Sequence, residues 1–211
     1  MKKLTLALPT GRIFEETASL LRECGIAVPD RDDAGRRLSI EAGEMVLLLV
    51  KDRDVPTYVE HGVADLGVVG FDVLSELGPD LYQPLDLGIG SCRMVLARSE
   101  ARPREFYRDL PVVRVATKYP NVTRRHFHGH GLPVEVIPLA GSVELAPLLG
   151  LSDCIVDLVQ SGRTLEANGL VEERTLFEST ARLVIHRASY RLRTEAVNEL
   201  CERLSRVAER A

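Results

Sequence analysis

Residues 154–165 read C-I-V-D-L-V-Q-S-G-R-T-L and give the clearest indication of the fold. The first half of this stretch is apolar except for Asp157, as in a strand that is buried on both faces. A short polar turn follows at 161–164, and a helical pattern then runs to Asn168 and Gly169, a pair typical of a helix C-terminus. The segment therefore predicts a strand, a hydroxyl-rich turn and a helix in immediate succession.

The turn has the composition of a phosphate-binding loop. Backbone N–H groups at the beginning of a helix attract anions, and the helix dipole adds to this attraction. Gly162 would let the backbone approach a ligand closely, while Ser161 and Thr164 would add hydroxyl donors. Asp157 could accept hydrogen bonds from the vicinal hydroxyls of a sugar, so the pattern suits a ribose 5-phosphate. The same residues also fit a capped helix behind a strand, and they do not form a Walker loop.

Short apolar runs and amphipathic stretches alternate along the rest of the chain. Helices are predicted from the spacing of Phe14, Ala18 and Leu21, between Asp54 and Gly62, and over 197–208. The arginine-rich stretch 98–109 has no such pattern and is expected to be the least structured segment. Strands are predicted at 4–8, 45–50, 66–69, 112–116, 134–137, 155–159 and 183–185. This alternation predicts an α/β fold with largely parallel sheets.

The composition restricts the class of protein. The chain has 211 residues, of which 45% are hydrophobic and 27% charged, as in soluble globular proteins. Its formal net charge of −4 gives no electrostatic basis for a dedicated nucleic-acid or anionic-membrane binder. The cysteines form no C-x-x-C pair, no signal cleavage site follows the first apolar run, and no run approaches the roughly 20 residues of a membrane span. We therefore expect a cytoplasmic protein with no nucleic-acid or membrane partner.

Four segments of the chain resemble one enzyme family. The stretch 144–165, E-L-A-P-L-L-G-L-S-D-C-I-V-D-L-V-Q-S-G-R-T-L, resembles the signature of the ATP phosphoribosyltransferases, which begin histidine biosynthesis. Further family segments are similar to L-A-L-P-T-G-R-I at 6–13, D-V-P-T-Y-V-E-H-G-V-A-D-L-G-V-V-G-F-D-V-L at 54–74 and R-V-A-T-K-Y-P-N-V-T at 114–123. Because these segments span nearly the whole chain in order, together they are more specific than any one motif.

The resemblance implies both a fold and an activity. The fold would be α/β and two-lobed, of the periplasmic-binding-protein type II kind, with a cleft between two α/β domains. Lobe I would span 1–90 plus 181–211, and lobe II, with the phosphoribosyl-binding loop, would span 91–180. The activity would be transfer of 5-phosphoribosyl from phosphoribosyl pyrophosphate to N1 of ATP, with release of pyrophosphate. Mg²⁺ would be bound with the substrate phosphates.

The resemblance also implies which residues bind phosphoribosyl pyrophosphate. Two acids, Asp157 and Glu144, would hold the ribose hydroxyls. Alternatively, Glu144 would only complement the dipole of a helix that opens at Gly141 and Ser142. The loop would hold the 5′-phosphate through Ser161, Gly162, Arg163 and Thr164.

A second group of residues would act on the phosphates of pyrophosphate and ATP. Arg12 and Arg36 match family arginines and are the predicted catalytic residues, and Arg12 would also contact ATP. Thr10 stands where the family commonly has lysine, which removes one cation beside Arg12. No side chain is predicted to be a metal ligand. Further candidates for ATP binding are Lys51, Arg53, Gly70 and Asp72.

The family resemblance also implies partners. The chain ends soon after its last helical pattern, without room for the histidine-binding C-terminal domain of the family's long form. It therefore resembles the short form, which works with a regulatory subunit similar to histidyl-tRNA synthetase. We expect a homodimer within a larger hetero-oligomer.

Two other functions fit parts of the sequence. A type I phosphoribosyltransferase would share the Ser-Gly-x-Thr loop, but such enzymes carry two adjacent acids, and here Asp157 is followed by Leu158. A non-catalytic solute-binding protein would share the two-lobed fold, but the missing export signal and the loop argue against it.

The string H-x-H-x-H at 126–130 could bind zinc, although a polar helix end fits it better.

Overall fold

A computed structural model describes residues 3–29 and 37–209 of the chain, which divides into two compact units. Unit 1 comprises Met1–Gly90 and Thr180–Ala211, and unit 2 comprises Ser91–Ser179. The chain thus returns from unit 2 to unit 1 between residues 179 and 180, one residue before the predicted boundary.

Strands and helices alternate through both units. Among the described residues, the strands are β1 (Leu4–Pro9), β2 (Ser39–Ala42), β3 (Met45–Val50), β4 (Leu66–Gly70), β5 (Tyr82–Asp86), β6 (Cys92–Ser99), β7 (Val113–Thr117), β8 (Val134–Pro138), β9 (Cys154–Val159), β10 (Leu170–Ser179) and β11 (Ala181–Ile185). The α-helices there are α1 (Arg12–Glu23), α2 (Val55–Glu60), α3 (Phe71–Leu77), α4 (Pro120–Gly129), α5 (Leu145–Leu148), α6 (Arg163–Ala167), α7 (Arg187–Leu192) and α8 (Thr194–Ala208). Short 3-10 helices cover Asp52–Asp54 and Phe106–Asp109.

Unit 1 is built on a six-stranded sheet in the order β2-β3-β1-β4-β11-β5. Strand β1 pairs in parallel with β3 and β4, so the carboxyl ends of these three strands meet at one edge. Successive side chains of β1 point to opposite faces. Leu6 and Leu8 pack in one core with Phe14 of α1, while Ala7 packs in a second core with Val55 of α2. Helices therefore cover both faces, as the continuous apolar strands predict.

Unit 2 is built on a five-stranded sheet in the order β10-β6-β9-β7-β8. Strand β7 pairs in parallel with β8 and β9, whereas β6 runs antiparallel to both β9 and β10. Met94 and Leu96 of β6 pack with Phe127 of α4 on one face, and Val95 packs with Val143 on the other. The carboxyl ends of β7, β8 and β9 share one edge of this sheet.

Four strands were not predicted from the sequence, namely β2, β5, β6 and β10. The clearest case is β10, whose sequence L-V-E-E-R-T-L-F-E-S is polar and lacks regular alternation. It forms a strand because it pairs with β6, and two register shifts interrupt that pairing. Long-range pairing therefore decides the structure of this edge strand, and local pattern does not.

The stretch 98–109, predicted to be the least structured segment, is held by a buried ion pair. Arg98 Nε lies 2.6 Å from Glu173 Oε2, and the two side chains are only 11% and 3% exposed. Arg98 Nη1 also donates to the carbonyl oxygen of Arg102, and Glu173 accepts the N–H of Glu105. Because Glu173 lies on β10, far along the chain, the local sequence contains no sign of this restraint.

Candidate functional site

The predicted phosphate loop lines a cavity of about 290 Å³ in unit 2. The cavity lies at the carboxyl end of β9, where parallel strands of an α/β sheet commonly present ligand-binding groups. The structure thus brings together five of the six residues predicted to bind phosphoribosyl pyrophosphate, while the exposed Arg163 is not part of the lining. The lining residues are Glu144, Asp157, Leu158, Val159, Gln160, Ser161, Gly162, Thr164 and Leu165.

Local chemistry explains the shape of the loop. Gly162 has φ +82°, a left-handed conformation that favours glycine, and it stands directly before α6. Its carbonyl oxygen accepts the N–H of Glu166 at 3.1 Å, which closes the first helical turn. Buried Leu165 anchors this turn in the core, and Asn168 caps the helix C-terminus, as predicted. The sequence 160–164 therefore passes from strand to helix in a tight turn beside the cavity.

Asp157 has the most strongly perturbed environment among the lining residues. Burial raises the pKa of its carboxyl above the ordinary value, because a charge is poorly solvated there. The N–H of Leu158 and the charge of Lys118 lower the pKa, and the charge of Glu144 raises it, but burial dominates. A carboxylate at such a site has strong interactions with any partner that replaces water.

Glu144 reaches the cavity from the N-cap position of a helix and not from the first helical turn, where it was predicted. The helix expected to open at Gly141 and Ser142 begins at Leu145 instead, with Glu144 as its N-cap residue. Ser142 has φ 50°, so the backbone turns there before the helix. Buried Val143 and its neighbours in α5 fix the segment against the core. Glu144 is therefore held next to the loop, at the beginning of the helix that follows β8.

Lys118, whose charge acts on Asp157, was not predicted from the sequence to belong to the site. It directly follows β7, whose last residue, Thr117, donates its hydroxyl to the carbonyl of Val156 on β9 at 2.7 Å. The same hydroxyl accepts the N–H of Tyr119 at 2.8 Å, which fixes the backbone around Lys118. Its position after a predicted strand, in a chain with few lysines, was the available signal. Arg93 of β6 is a second missed residue, since it hydrogen bonds to the loop at Gln160.

The residues predicted to bind ATP lie in unit 1, at the carboxyl edge of its parallel strands. Lys51 and Arg53 follow β3 in and beside the 3-10 turn, and both side chains are exposed. Gly70 ends β4 and is the N-cap of α3. Asp72 lies in the first turn of that helix and is 7% exposed.

The two predicted catalytic arginines are covered only in part. Arg12 is the first residue of α1, so its backbone follows the end of β1 at the same edge of the sheet as β3 and β4. Only the backbone of Arg12 is described. Arg36 lies outside the described residues. Their assignment as catalytic residues stays a prediction.

Other polar clusters among the described residues include the histidines at the end of α4. Within residues 3–29 and 37–209, no group of three His, Cys, Asp or Glu side chains has an arrangement that could hold a metal ion. His126 and His130 stack at the end of α4 with ring centroids 4.5 Å apart. Burial, together with the charges of His130 and Arg174, lowers the pKa of His126 to about 4. None of the described helices has the length and apolar character needed to cross a bilayer.

Comparison with known proteins identifies first the class and then the family. The aliphatic sulphonate binding protein SsuA from Escherichia coli is 16% identical, with a TM-score of 0.60 over 99% of this chain and 73% of that chain. This similarity shows the fold alone, and it confirms the predicted class of two-domain α/β proteins of the periplasmic-binding-protein type II kind.

Closer similarity in sequence, to a family model and to individual proteins, shows the family. The HisG model, described as ATP phosphoribosyltransferase, matches residues 51–206. An ATP phosphoribosyltransferase from Bacillus licheniformis is 47% identical over 210 residues, 99% of this chain and 97% of that protein. A chain of the HisG:HisZ complex from Thermotoga maritima is 39% identical, with a TM-score of 0.84 over 99% of this chain and 100% of that one. The chain therefore belongs to the ATP phosphoribosyltransferase family, transferases of the first step of histidine biosynthesis.

Proposed function

We propose that the cavity of unit 2 binds the phosphoribosyl group that the enzyme transfers from phosphoribosyl pyrophosphate to N1 of ATP. One observation carries this assignment, namely that a partly buried carboxylate of raised pKa and a hydroxyl-rich turn line the same cavity. Asp157 and Glu144 accept hydrogen bonds from the ribose hydroxyls, and Ser161, Gly162 and Thr164 hold the 5′-phosphate. Arg163, which is exposed at the beginning of α6, adds charge at the outer side of the loop.

The reaction needs positioning and electrostatic stabilisation more than proton transfer. Adenine N1 carries no proton, so its lone pair attacks ribose C1 directly while the bond from C1 to pyrophosphate breaks. Positive charge develops on the ribose in the transition state and negative charge on the leaving pyrophosphate. Groups that are already oriented toward these charges lower the barrier.

Asp157 is suited to the ribose side of this reaction. Its carboxylate loses solvation on folding, so hydrogen bonds from two ribose hydroxyls replace water and favour the ionised form. A negative charge held there also stabilises the positive charge that develops on the sugar ring. The charge of Lys118 lowers the pKa of Asp157. It therefore offsets part of the negative charge of Asp157 and Glu144 when no sugar is bound.

The edge of unit 1 is suited to anionic groups. The backbone turn after β1 that leads into Arg12, the exposed Lys51 and Arg53, and the turn from Gly70 to Asp72 follow parallel strands of one sheet. We assign this edge to ATP and the leaving pyrophosphate. Arg36 belongs to the same assignment on the basis of the family resemblance.

Mg²⁺ would enter this site with the substrate phosphates. The described residues hold no three-ligand metal cluster, and carboxylate oxygens such as those of Glu144 and Asp157 are of the type that Mg²⁺ accepts as a minority of its ligands. When bound to pyrophosphate, Mg²⁺ would neutralise part of the charge of the leaving group. The side chains of the cavity bind and orient the sugar.

The proposed function also includes a regulatory partner. The Thermotoga maritima chain that matches this protein over its full length comes from a HisG:HisZ complex. We infer that the present chain forms a homodimer within a hetero-oligomer that includes a regulatory subunit similar to histidyl-tRNA synthetase. A biosynthetic enzyme of this type works in the cytoplasm.

An assay of the purified chain tests the proposal. ATP, phosphoribosyl pyrophosphate and Mg²⁺ are mixed with pyrophosphatase, and the ultraviolet absorbance change on N1 substitution of adenine is followed with and without the regulatory subunit. We expect product in at least one condition, and lower kcat/KM for both Arg12→Ala and Asp157→Ala. Well-folded protein without product in either condition would contradict the activity, and near-normal kcat/KM in both variants would contradict the site.

A further inference from the structure

We propose that Arg93 is a positioning residue that holds the loop 160–164 in the shape needed for the 5′-phosphate. The inference rests on the proposed function of the loop and adds to it a residue from a different strand. Arg93 lies near the beginning of β6, where its cross-strand neighbour is Val159, the last residue of β9. It therefore stands beside the point at which β9 passes into the loop.

Two hydrogen bonds fix the orientation of the Arg93 guanidinium group. Nε donates to Oε2 of Glu172 at 2.9 Å, and Nη1 donates to the carbonyl oxygen of Gln160 at 3.2 Å. Because the group is planar and rigid, bonds from two nitrogens also fix the third. That nitrogen, Nη2, lies 4.0 Å from the position that a Cβ would take on Gly162. Arg93 therefore spans the loop from its entry to its left-handed glycine.

Glu172 supplies the fixed end of this arrangement. It lies on β10, and its other oxygen, Oε1, accepts the hydroxyl of Thr175 at 2.5 Å. The side chains of Arg93 and Glu172 are 32% and 28% exposed, so the pair is partly shielded from water. Such shielding makes an ion pair more effective than a fully exposed one. The loop is thus tied through Arg93 to the edge strand of the sheet.

The arrangement favours an anion in the loop in two ways. The carbonyl oxygen of Gln160 carries partial negative charge, and a charged donor that holds it reduces its repulsion of a phosphate. The guanidinium group also places a full positive charge next to Gly162. Both effects act on the phosphate end of the substrate, so they should affect phosphoribosyl pyrophosphate and leave ATP largely unaffected.

Three substitutions separate geometry from charge. Arg93→Ala should raise the Kd for ribose 5-phosphate by about tenfold or more, since it removes a charge-assisted hydrogen bond and a cation together. Arg93→Lys keeps the charge but cannot bridge Glu172 and Gln160 in one plane, so it should recover only a small part of the loss. Glu172→Gln keeps the arginine but loosens it, and an intermediate loss of roughly threefold is expected.

The experiment uses the full chain and measures binding of ribose 5-phosphate by calorimetry. KM for each substrate is measured in parallel with the regulatory subunit present. The control is Arg108→Ala, which removes another guanidinium from unit 2, one paired with Glu105 at 3.1 Å in the Phe106–Asp109 region. We expect a raised Kd for ribose 5-phosphate and a raised KM for phosphoribosyl pyrophosphate in Arg93→Ala, with KM for ATP and the control values within about twofold.

Four results of these measurements would each contradict a different claim about Arg93 or the loop. If the wild type binds ribose 5-phosphate and Arg93→Ala binds it equally well, the role of Arg93 is wrong while the loop assignment stands. If Arg93→Lys restores full affinity, charge alone matters and the positioning role is wrong. A fall in Tm with equal losses toward both substrates would make Arg93 a residue of general stability. If the wild type does not bind ribose 5-phosphate, the proposed function of the loop fails and the inference fails with it.

Discussion

Two aspartates lie at different ends of strand β9: Asp153 immediately precedes its first residue, and Asp157 is in its second half. Asp153, at the beginning, accepts the backbone N–H of Arg114 and two hydrogen bonds from the Arg114 side chain. Burial by itself would raise the pKa of Asp153, but these hydrogen bonds and the charge of Arg114 outweigh it and lower the pKa. Asp157, by contrast, has a raised pKa because burial outweighs the hydrogen bond and the positive charge near it.

The difference follows from the direction of the strand. Asp153 lies at the amino edge of β9, where Arg114 of β7 also binds the carbonyl oxygens of Gly150 and Leu151 and so fixes the approach to the strand. Asp157 lies toward the carboxyl edge, beside the cavity. An aspartate therefore pairs with an arginine at one edge of the sheet, whereas at the other edge an aspartate of raised pKa lines a cavity. In parallel α/β sheets ligands bind at the carboxyl edge.

The largest effect is expected from Asp157→Asn. The amide keeps the size of the side chain but lacks the charge that faces the developing cation in the proposed site, so kcat/KM should fall on the order of 10²-fold or more. Steady-state kinetics with both substrates varied measures the loss. Circular dichroism and Tm serve as controls, and a loss of less than about threefold would remove Asp157 from the catalytic site.

A smaller effect is expected from Glu144→Gln, with kcat/KM lowered by about tenfold through the loss of one ribose contact. The charge of Glu144 raises the pKa of Asp157, so its removal should lower that pKa. The acid limb of the kcat/KM profile should then move to lower pH. Lys118→Met is the matched opposite, because its charge lowers the pKa of Asp157, and the acid limb should move to higher pH. Shifts in the same direction for both variants would contradict this electrostatic account.

At the other end of the strand, Asp153→Asn should affect stability and leave activity nearly unchanged. The amide cannot replace all the hydrogen bonds and the charge that Arg114 meets, so Tm should fall by roughly 2–4 °C. Differential scanning calorimetry measures the shift, and kcat/KM should stay within about threefold of the wild type. A large loss of activity at unchanged Tm would mean that the two ends of β9 do not differ as described.

The sequence allowed the local part of this comparison to be predicted and missed the rest. Asp157, Gly162 and the beginning of α6 lie within one contiguous stretch, so apolar pattern and turn chemistry were sufficient. Lys118 and Arg93 act on that stretch from β7 and β6, and only the order of strands in the sheet brings them there. The polar strand β10 escaped prediction for the same reason, since pairing with β6 forms it and supplies Glu172 and Glu173 as partners for arginines.

The smallest and most discriminating prediction concerns the pH dependence of stability. Asp153 has a lowered pKa in the folded protein, so its contribution is present above its unfolded pKa and is lost as the pH falls through the folded value. Asp157 has a raised pKa, so its contribution is present below the unfolded pKa and is lost as the pH rises through the folded value. At neutral pH, Asp153→Asn should therefore be less stable than the wild type and Asp157→Asn slightly more stable.

Both differences should shrink in acid, because each wild-type carboxyl becomes protonated as the pH falls through its own folded-state pKa and then resembles the neutral amide. For Asp157 this pKa lies above the ordinary aspartate value of about 4, and for Asp153 it lies below that value. Tm measured from neutral to acidic pH for the wild type and the two variants gives the required curves. Opposite signs at neutral pH that converge in acid would show that β9 stabilises the fold at one end and gives up stability for binding at the other. If Asp157→Asn were the less stable variant at neutral pH, Asp157 would be a structural residue, and the ribose assignment would lose its electrostatic basis.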